Sequence, residues 1–291
     1  MKSEYLEKER AEMTEKIIKA VEEGTAPWMR PWDGRCGPSN GVTGRMYAGI
    51  NNMLLSLRGI NIDNGKDPRW VTFDQAKKKD WQVQKGAKSE HVLLWKSFGV
   101  EDEDGNVEIK AVWQRVFYVF HASQVKGMPE YVPPKMNDIE LQEKAEKIIK
   151  ASGAVIFFHG NQPCFMPAYD KIRMTERGYF HTSAGYYSTI LHELVHWTGH
   201  ISRLARQLTY AEEELVAEIG SMFLSAATGI PQTEENFGND VAYVRSWLSR
   251  VKTKDKGNAI FKAAAAANKA VNFLLEKAGM ITTKTTETEQ M

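Results

Sequence analysis

A chain of 291 residues with 42% apolar and 26% charged residues and a formal net charge of +1 has the make-up of one large or two ordinary folded domains. Its two cysteines, Cys36 and Cys164, exclude a disulfide framework and a thiolate zinc site. No run approaches the roughly 18 apolar residues of a membrane span, and the charged start "MKSEYLEKERAEMTEKIIKAVEEG" lacks a signal-peptide core, so a cytoplasmic protein without membrane contact is expected.

Residues 3–22 place Tyr5, Leu6, Met13, Ile17, Ile18 and Val21 at helical spacing, which predicts an amphipathic helix ended by Gly24 and Pro27. From Trp28 to about Phe120 the texture changes. Runs such as "WVTF", "HVLLWKSF" and "VWQRVFYVF" alternate with turn residues and predict strands with short helices. The acidic "GVEDEDGNVE" (99–108) reads as a solvated hairpin tip. "GMPEYVPPKMND" (127–138) holds three of the chain's ten prolines, has no periodicity and reads as a linker. Beyond it, "DIELQEKAEKIIKASG" predicts a helix, "AVIFFHG" a strand, and the stretch from Tyr186 to about Lys277 is mostly helical. The expected division is 1–128, a linker at 129–138, a second domain at 139–280 and a flexible polar tail at 281–291. The fold class is α+β, a mixed α/β N-terminal domain followed by a mostly helical one.

"TILHELVHWTGH" (189–200) contains His192-Glu193-Leu194-Val195-His196, an H-E-x-x-H pattern. On a helix the two histidines lie one turn apart on one face and can reach one ion. Glu193 projects beside that face, where its carboxylate can take a proton from a metal-bound water. The metzincin extension fails: Gly199 is in place, but position 202 is serine. His200 lies a turn further on, but Gly199 before it ends the helix.

The next predicted helix, "YAEEELVAEIGSMFLSAATG", offers Glu214 and Glu218 four residues apart, with Ala217 leaving room for close helix approach. Glu-x-x-Ala-Glu after H-E-x-x-H resembles the gluzincin arrangement. That likeness implies His192, His196 and Glu214 as ligands, Glu218 as the group that orients a ligand histidine, and Glu193 as general base. An exchange of Glu214 and Glu218 stays open at this point. The competing reading is a solvated acidic face, which Leu215, Val216, Ile219, Met222 and Phe223 oppose by requiring burial. Two imidazoles and one carboxylate suit Zn2+ first, with Mn2+ or another divalent ion as alternatives, and leave a position for water. Tyr186 or Tyr187 is a candidate oxyanion donor in amide hydrolysis.

In the first half, six of eight tryptophans fall within 113 residues, and Gly24 to Val100 holds twelve Lys and Arg against six Asp and Glu. Aromatics interleaved with bases, as in "APWMRPW", "DPRWVTF" and "KKKDWQVQKGAK", suit single-stranded nucleic acid, where cations track phosphates and rings stack on unpaired bases. No recognition-helix or finger pattern favours duplex DNA. The competing reading places these tryptophans in a core.

Taken together, the chain resembles antirestriction proteins of the ArdC type from about Tyr5 to about Gly279. The likeness rests on "APWMRPW", "NGVTGRMYAGINNMLL", "DPRWVTFDQAKKKDWQVQKGAKSEHVLLW" and "VFYVFHASQVKGMPE", which resemble the family's single-stranded-DNA-binding domain. "DKIRM", "GYYSTILHELVHWTGH", "SRL" and "YAEEELVAEIGSMFL" resemble its zincin-type metallopeptidase domain. The resemblance implies a bacterial protein of a conjugative plasmid or other mobile element that binds incoming single-stranded DNA and protects it from host restriction. It carries DNA contact onto Trp28, Trp32, Arg45, Tyr47, Arg69, Trp70, Lys85, Lys88 and Trp95. Two alternatives are a metalloprotease that cleaves restriction or other DNA-bound proteins, and a non-catalytic zincin used for partner docking.

Overall fold

The computed structural model describes residues 2–23, 37–63, 66–101, 107–132, 138–230 and 256–281, with Ser246 and Ser249 in helical conformation. The first helix, α1 (Lys2–Glu22), buries Met13, Ile17 and Val21 of the stripe expected from its spacing, with Ala20 beside them, whereas Tyr5 of that stripe is exposed. Burying Met13 or Ile17 is worth about 2 kcal/mol. After β1 (Ser39–Asn40), helix α2 (Gly49–Asp63) turns Ile50, Met53 and Leu54 into the same core. Asn51 ties α2 to the sheet. Its amide donates to the Leu93 carbonyl at 2.7 Å and accepts from the Leu93 N–H at 2.9 Å.

That sheet has the order β1, β2 (Arg69–Thr72), β5 (Val107–His121) and β4 (Glu90–Glu101). β1 runs parallel to β2 and the other pairs are antiparallel. β4 and β5 form one long hairpin from Glu90↔Val119 to Glu101↔Val107, with a register shift at Phe98/Gly99. Its acidic tip, 102–106, lies outside the described residues. Helix α3 (Phe73–Lys78) starts in a capping box between Thr72 and Gln75, and β3 (Gln82–Val83) pairs with β6 (Val125–Lys126) beside it.

The second half opens with α4 (Asp138–Ser152) and a three-stranded sheet. Its central strand, β9 (Lys171–Met174), is flanked by the parallel β7 (Val155–Phe158) and the antiparallel edge strand β8 (Cys164–Met166). Helices α5 (Ser183–Thr198), α6 (Tyr210–Thr228) and α7 (Lys256–Lys277) follow. The chain is thus α+β, and the strand expected at "AVIFFHG" is β7, one of three in the sheet of a mostly helical second half. No helix among the described residues is long and apolar enough to cross a membrane.

Apolar packing crosses the expected boundary at 129–138. Residues of α1 and α2 share one buried cluster with Leu191 and Leu194 of α5, Leu215 and Val216 of α6, and Ala264 and Ala267 of α7. Two smaller clusters, around Leu55, Trp70, Val92 and Val119 and around Val71, Ala76 and Val125, belong to the first sheet. Of the proline-rich segment, residues 127–132 have no regular structure and 133–137 lie outside the described residues, as do Gly24, Pro27 and residues 282–291 of the tail.

Candidate metal centre and nucleic-acid surface

Two capped helices carry the donor cluster. Thr182 caps α5 by accepting from the Gly185 N–H at 3.0 Å, and Thr209 with Glu212 forms a capping box at the start of α6. The second cap places Glu213 and Glu214 in the opening turns of α6, where the helix dipole favours carboxylates. Close contact of the two helices depends on Gly220: a Cβ there would come within 2.8 Å of both Val195 γ carbons.

This approach brings His192, His196 and Glu214 together. The two histidine Nε2 atoms are 3.2 Å apart, and Glu214 Oε2 lies 3.7 Å from His192 Nε2 and 3.8 Å from His196 Nε2. A triangle with those sides has a circumradius of about 2.1 Å, the length of a zinc–nitrogen or zinc–oxygen bond. The donors therefore fit a divalent ion as they stand. Glu218 Oε1 is 3.8 Å from His192 Nδ1, the ring nitrogen that does not face Glu214. Glu193 is buried, and its Oε2 accepts from the Phe165 N–H of edge strand β8 at 2.7 Å.

Burial pushes both imidazoles toward the neutral form, but the carboxylates win. Glu214 and Glu218 raise His192 above its ordinary value, and Glu213 with Glu214 raises His196 to about 9. For Glu214, burial works in the opposite direction and is outweighed by His192 and His196, which hold the carboxyl well below the usual range. Glu218 is raised, chiefly by burial.

A partner of His196 and the arginine that holds it escaped the sequence reading. Glu213 Oε1 sits 3.3 Å from His196 Nδ1, and Arg206 donates to both Glu213 oxygens, from Nε at 3.0 Å and from Nη2 at 2.5 Å. Arg206 also reaches the Val195 carbonyl and Thr198 Oγ1 at 2.6 and 2.7 Å. Gly199 makes room for it, since a Cβ there would lie 2.6 Å from the guanidinium. Gly199 does close α5, but in a right-handed conformation (φ −75°), so its smallness serves this contact rather than a left-handed cap. An Arg seven residues before a Glu carries no local signal.

The other candidates fall elsewhere. His200 Nδ1 pairs with Ser202 Oγ at 2.8 Å, outside the triangle. Tyr186 and Tyr187 are buried, and the Tyr187 hydroxyl donates to Glu146 at 2.9 Å with burial pushing it up to about 12, so it is occupied away from the metal cluster.

The proposed DNA contacts divide. Trp28 and Trp32 lie outside the described residues, as does the side chain of Trp95, whose backbone in β4 pairs with Gln114. Trp70 corrects the expectation: it is 1% exposed, edge-on to His121 at 4.8 Å, and its ring is closed to a base. Tyr47 packs half-buried on the same cluster, and burial pushes its hydroxyl up to about 12. The Arg69 guanidinium is taken by Asp67 at 2.7 and 2.9 Å and by the Pro129 carbonyl, and it stacks over Tyr131. Arg45 is half-buried in the turn after β1. Lys85 and Lys88 are exposed as expected. They share the α3 and β3/β6 region with exposed Lys77, Lys78, Lys79 and Lys126 and with Phe73, which is 57% exposed and was missed because "WVTF" reads as a strand throughout.

Residues 7–125 match the family model for the N-terminal domain of anti-restriction factor ArdC, and residues 143–266 match a zincin-like metallopeptidase model. The chain is similar to the crystal structure of the ArdC antirestriction protein of plasmid R388 without metal (36% identity, TM-score 0.74, covering 94% of this chain and 98% of that one). It is similar also to the Mn(II)-bound form of that protein (35% identity, TM-score 0.73, covering 94% and 99%). Among curated proteins it is 38% identical over 292 residues to an Escherichia coli DNA primase, TraC, covering 90% of this chain but spanning only 19% of the primase. With its N-terminal sheet domain, its zincin-like domain and this likeness along nearly its whole length, the chain belongs to the ArdC family of antirestriction proteins.

Proposed function

We propose that this protein works in the bacterial cytoplasm, binds single-stranded DNA of a mobile element and protects it from host restriction. Its zincin-like domain holds one divalent ion, zinc or manganese, through His192, His196 and Glu214. The observation that carries the metal reading is the triangle of donor atoms with sides of 3.2, 3.7 and 3.8 Å, flanked by the buried Glu193 carboxylate. The Mn(II)-bound R388 relative supports a divalent ion in this fold.

When bound, the ion supplies Lewis-acid polarisation of an amide carbonyl and lowers the pKa of water. Glu193 is held through Oε2 by the Phe165 N–H, and its carboxylate would serve as the proton acceptor beside the ion. Glu218 and Glu213, behind the two rings, fix the orientation of His192 and His196. On the DNA side, the exposed lysines at the end of α3, after β3 and in β6 neutralise phosphates, and Phe73 offers a ring for stacking.

The test is transfer of an unmodified plasmid into a restricting recipient that makes either the native chain or Glu193→Gln. The native chain should raise the yield of transferred plasmid; no effect above an empty-vector control overturns the antirestriction reading. If Glu193→Gln keeps its metal and loses protection, cleavage of a restriction or other DNA-bound protein is part of the mechanism. Full protection by Glu193→Gln assigns the effect to DNA binding and leaves the zincin domain a docking role.

A further inference from the structure

A second group of metal-type donors lies in the N-terminal half, away from α5 and α6. Glu9 and Glu12 stand three residues apart on one face of α1, and His91 faces them from β4. One ligand atom from each lies within 4.8 Å of the others. Glu9 Oε2 is 3.3 Å from His91 Nδ1, which is 3.8 Å from Glu90 Oε1. Lys16 is committed to Glu90 at 2.8 Å, and Lys8 reaches Glu12 only along the exposed flank, at 3.8 Å.

The group is incomplete as a hydrogen-bonded cluster. Glu9 is 8% exposed, and its Oε2, out of solvent and aimed at His91, has no hydrogen-bond donor. The 3.3 Å approach to the ring lacks hydrogen-bond geometry, and His91 Nε2 is also buried without a partner. A buried carboxylate oxygen without a donor is costly unless a cation completes it. The Lys16–Glu90 pair leaves two carboxylates, Glu9 and Glu12, facing one imidazole.

We propose that Glu9, Glu12 and His91 form a second divalent-cation site, coordinating through carboxylate oxygens and His91 Nδ1. Imidazole with two carboxylates suits a first-row ion such as zinc or manganese, with water in the remaining positions. The ion fastens α1 to β4. Because α1 contributes Met13, Ile17 and Val21 to the main core, such a clamp links the N-terminal sheet to the helices that carry the first site.

The site is tested on the full chain by equilibrium dialysis against Zn2+ and, separately, Mn2+, followed by elemental analysis. The native protein should bind about two equivalents and His192→Ala/His196→Ala about one. Adding Glu12→Gln, a partly exposed position that leaves the core untouched, should weaken the remaining site at least about tenfold. The ion should also raise the melting temperature of the double-histidine variant, and Glu12→Gln should remove that shift. A double-histidine variant that melts cooperatively yet takes up neither ion overturns the proposal, as does uptake unchanged by both Glu12→Gln and His91→Ala. If the native chain binds one equivalent and the double-histidine variant keeps it, the first site fails and the second stands.

Discussion

Arg206 holds Glu213 through two guanidinium nitrogens, at 3.0 and 2.5 Å, and Glu213 in turn faces Nδ1 of His196 at 3.3 Å. The chain of contacts fixes the far side of a ring whose Nε2 points at Glu214. Arg206→Met should therefore weaken metal binding by about 10- to 100-fold while leaving all three donors in place. Competition with a chromophoric chelator measures it. Unchanged affinity would assign Arg206 to helix packing only.

The contact of α5 and α6 has no spare volume at Gly220. Gly220→Ala places a methyl 2.8 Å from both Val195 γ carbons and should cost about 1–3 kcal/mol by overpacking. Val195→Ala in the same chain should recover much of that loss, because the two residues share one space. Urea unfolding of both single variants and the double supplies the coupling.

Protons and metal compete for the same histidines. Burial, which disfavours the charged ring, is outweighed at His196 by Glu213 and Glu214, so its folded value of about 9 lies above the ordinary 6.5. In metal-free protein this group contributes stability that is full below about pH 6.5 and is lost as pH rises through about 9. Metal affinity moves the opposite way across that window, since only the neutral ring coordinates. Calorimetry at pH 7.5 in buffers of different ionisation enthalpy should record at least about one proton released per ion bound. No release would contradict the carboxylate-supported imidazolium.

On the DNA side, Phe73 and Trp70 should behave differently although they are three residues apart. Phe73→Ala should weaken a single-stranded oligonucleotide by about 1–3 kcal/mol with the melting temperature preserved. Trp70→Ala should instead destabilise the fold by about 3–5 kcal/mol, the cost of emptying a core site. Neutralising Lys77 and Lys78 together should reduce the slope of log K against log salt by roughly 1.4 if both meet phosphate. Fluorescence anisotropy at several salt concentrations, with thermal melts of each variant, separates these outcomes.

What the sequence determined by itself was local and periodic. The H-E-x-x-H spacing put His192 and His196 on one helical face, the Glu-x-x-Ala-Glu pattern singled out Glu214 and Glu218, and apolar spacing marked α1. Composition also located an aromatic, basic first half, but composition has no direction: it could not separate Trp70, turned into the sheet's core, from Phe73, turned out of it. Only the tertiary structure decided that Arg206 and Glu213 close behind His196, that Phe165 holds Glu193, and that Glu9 and Glu12 meet His91. Each of these depends on how separate elements dock, and docking follows from shape and buried area summed over the whole core, which no short window of residues contains.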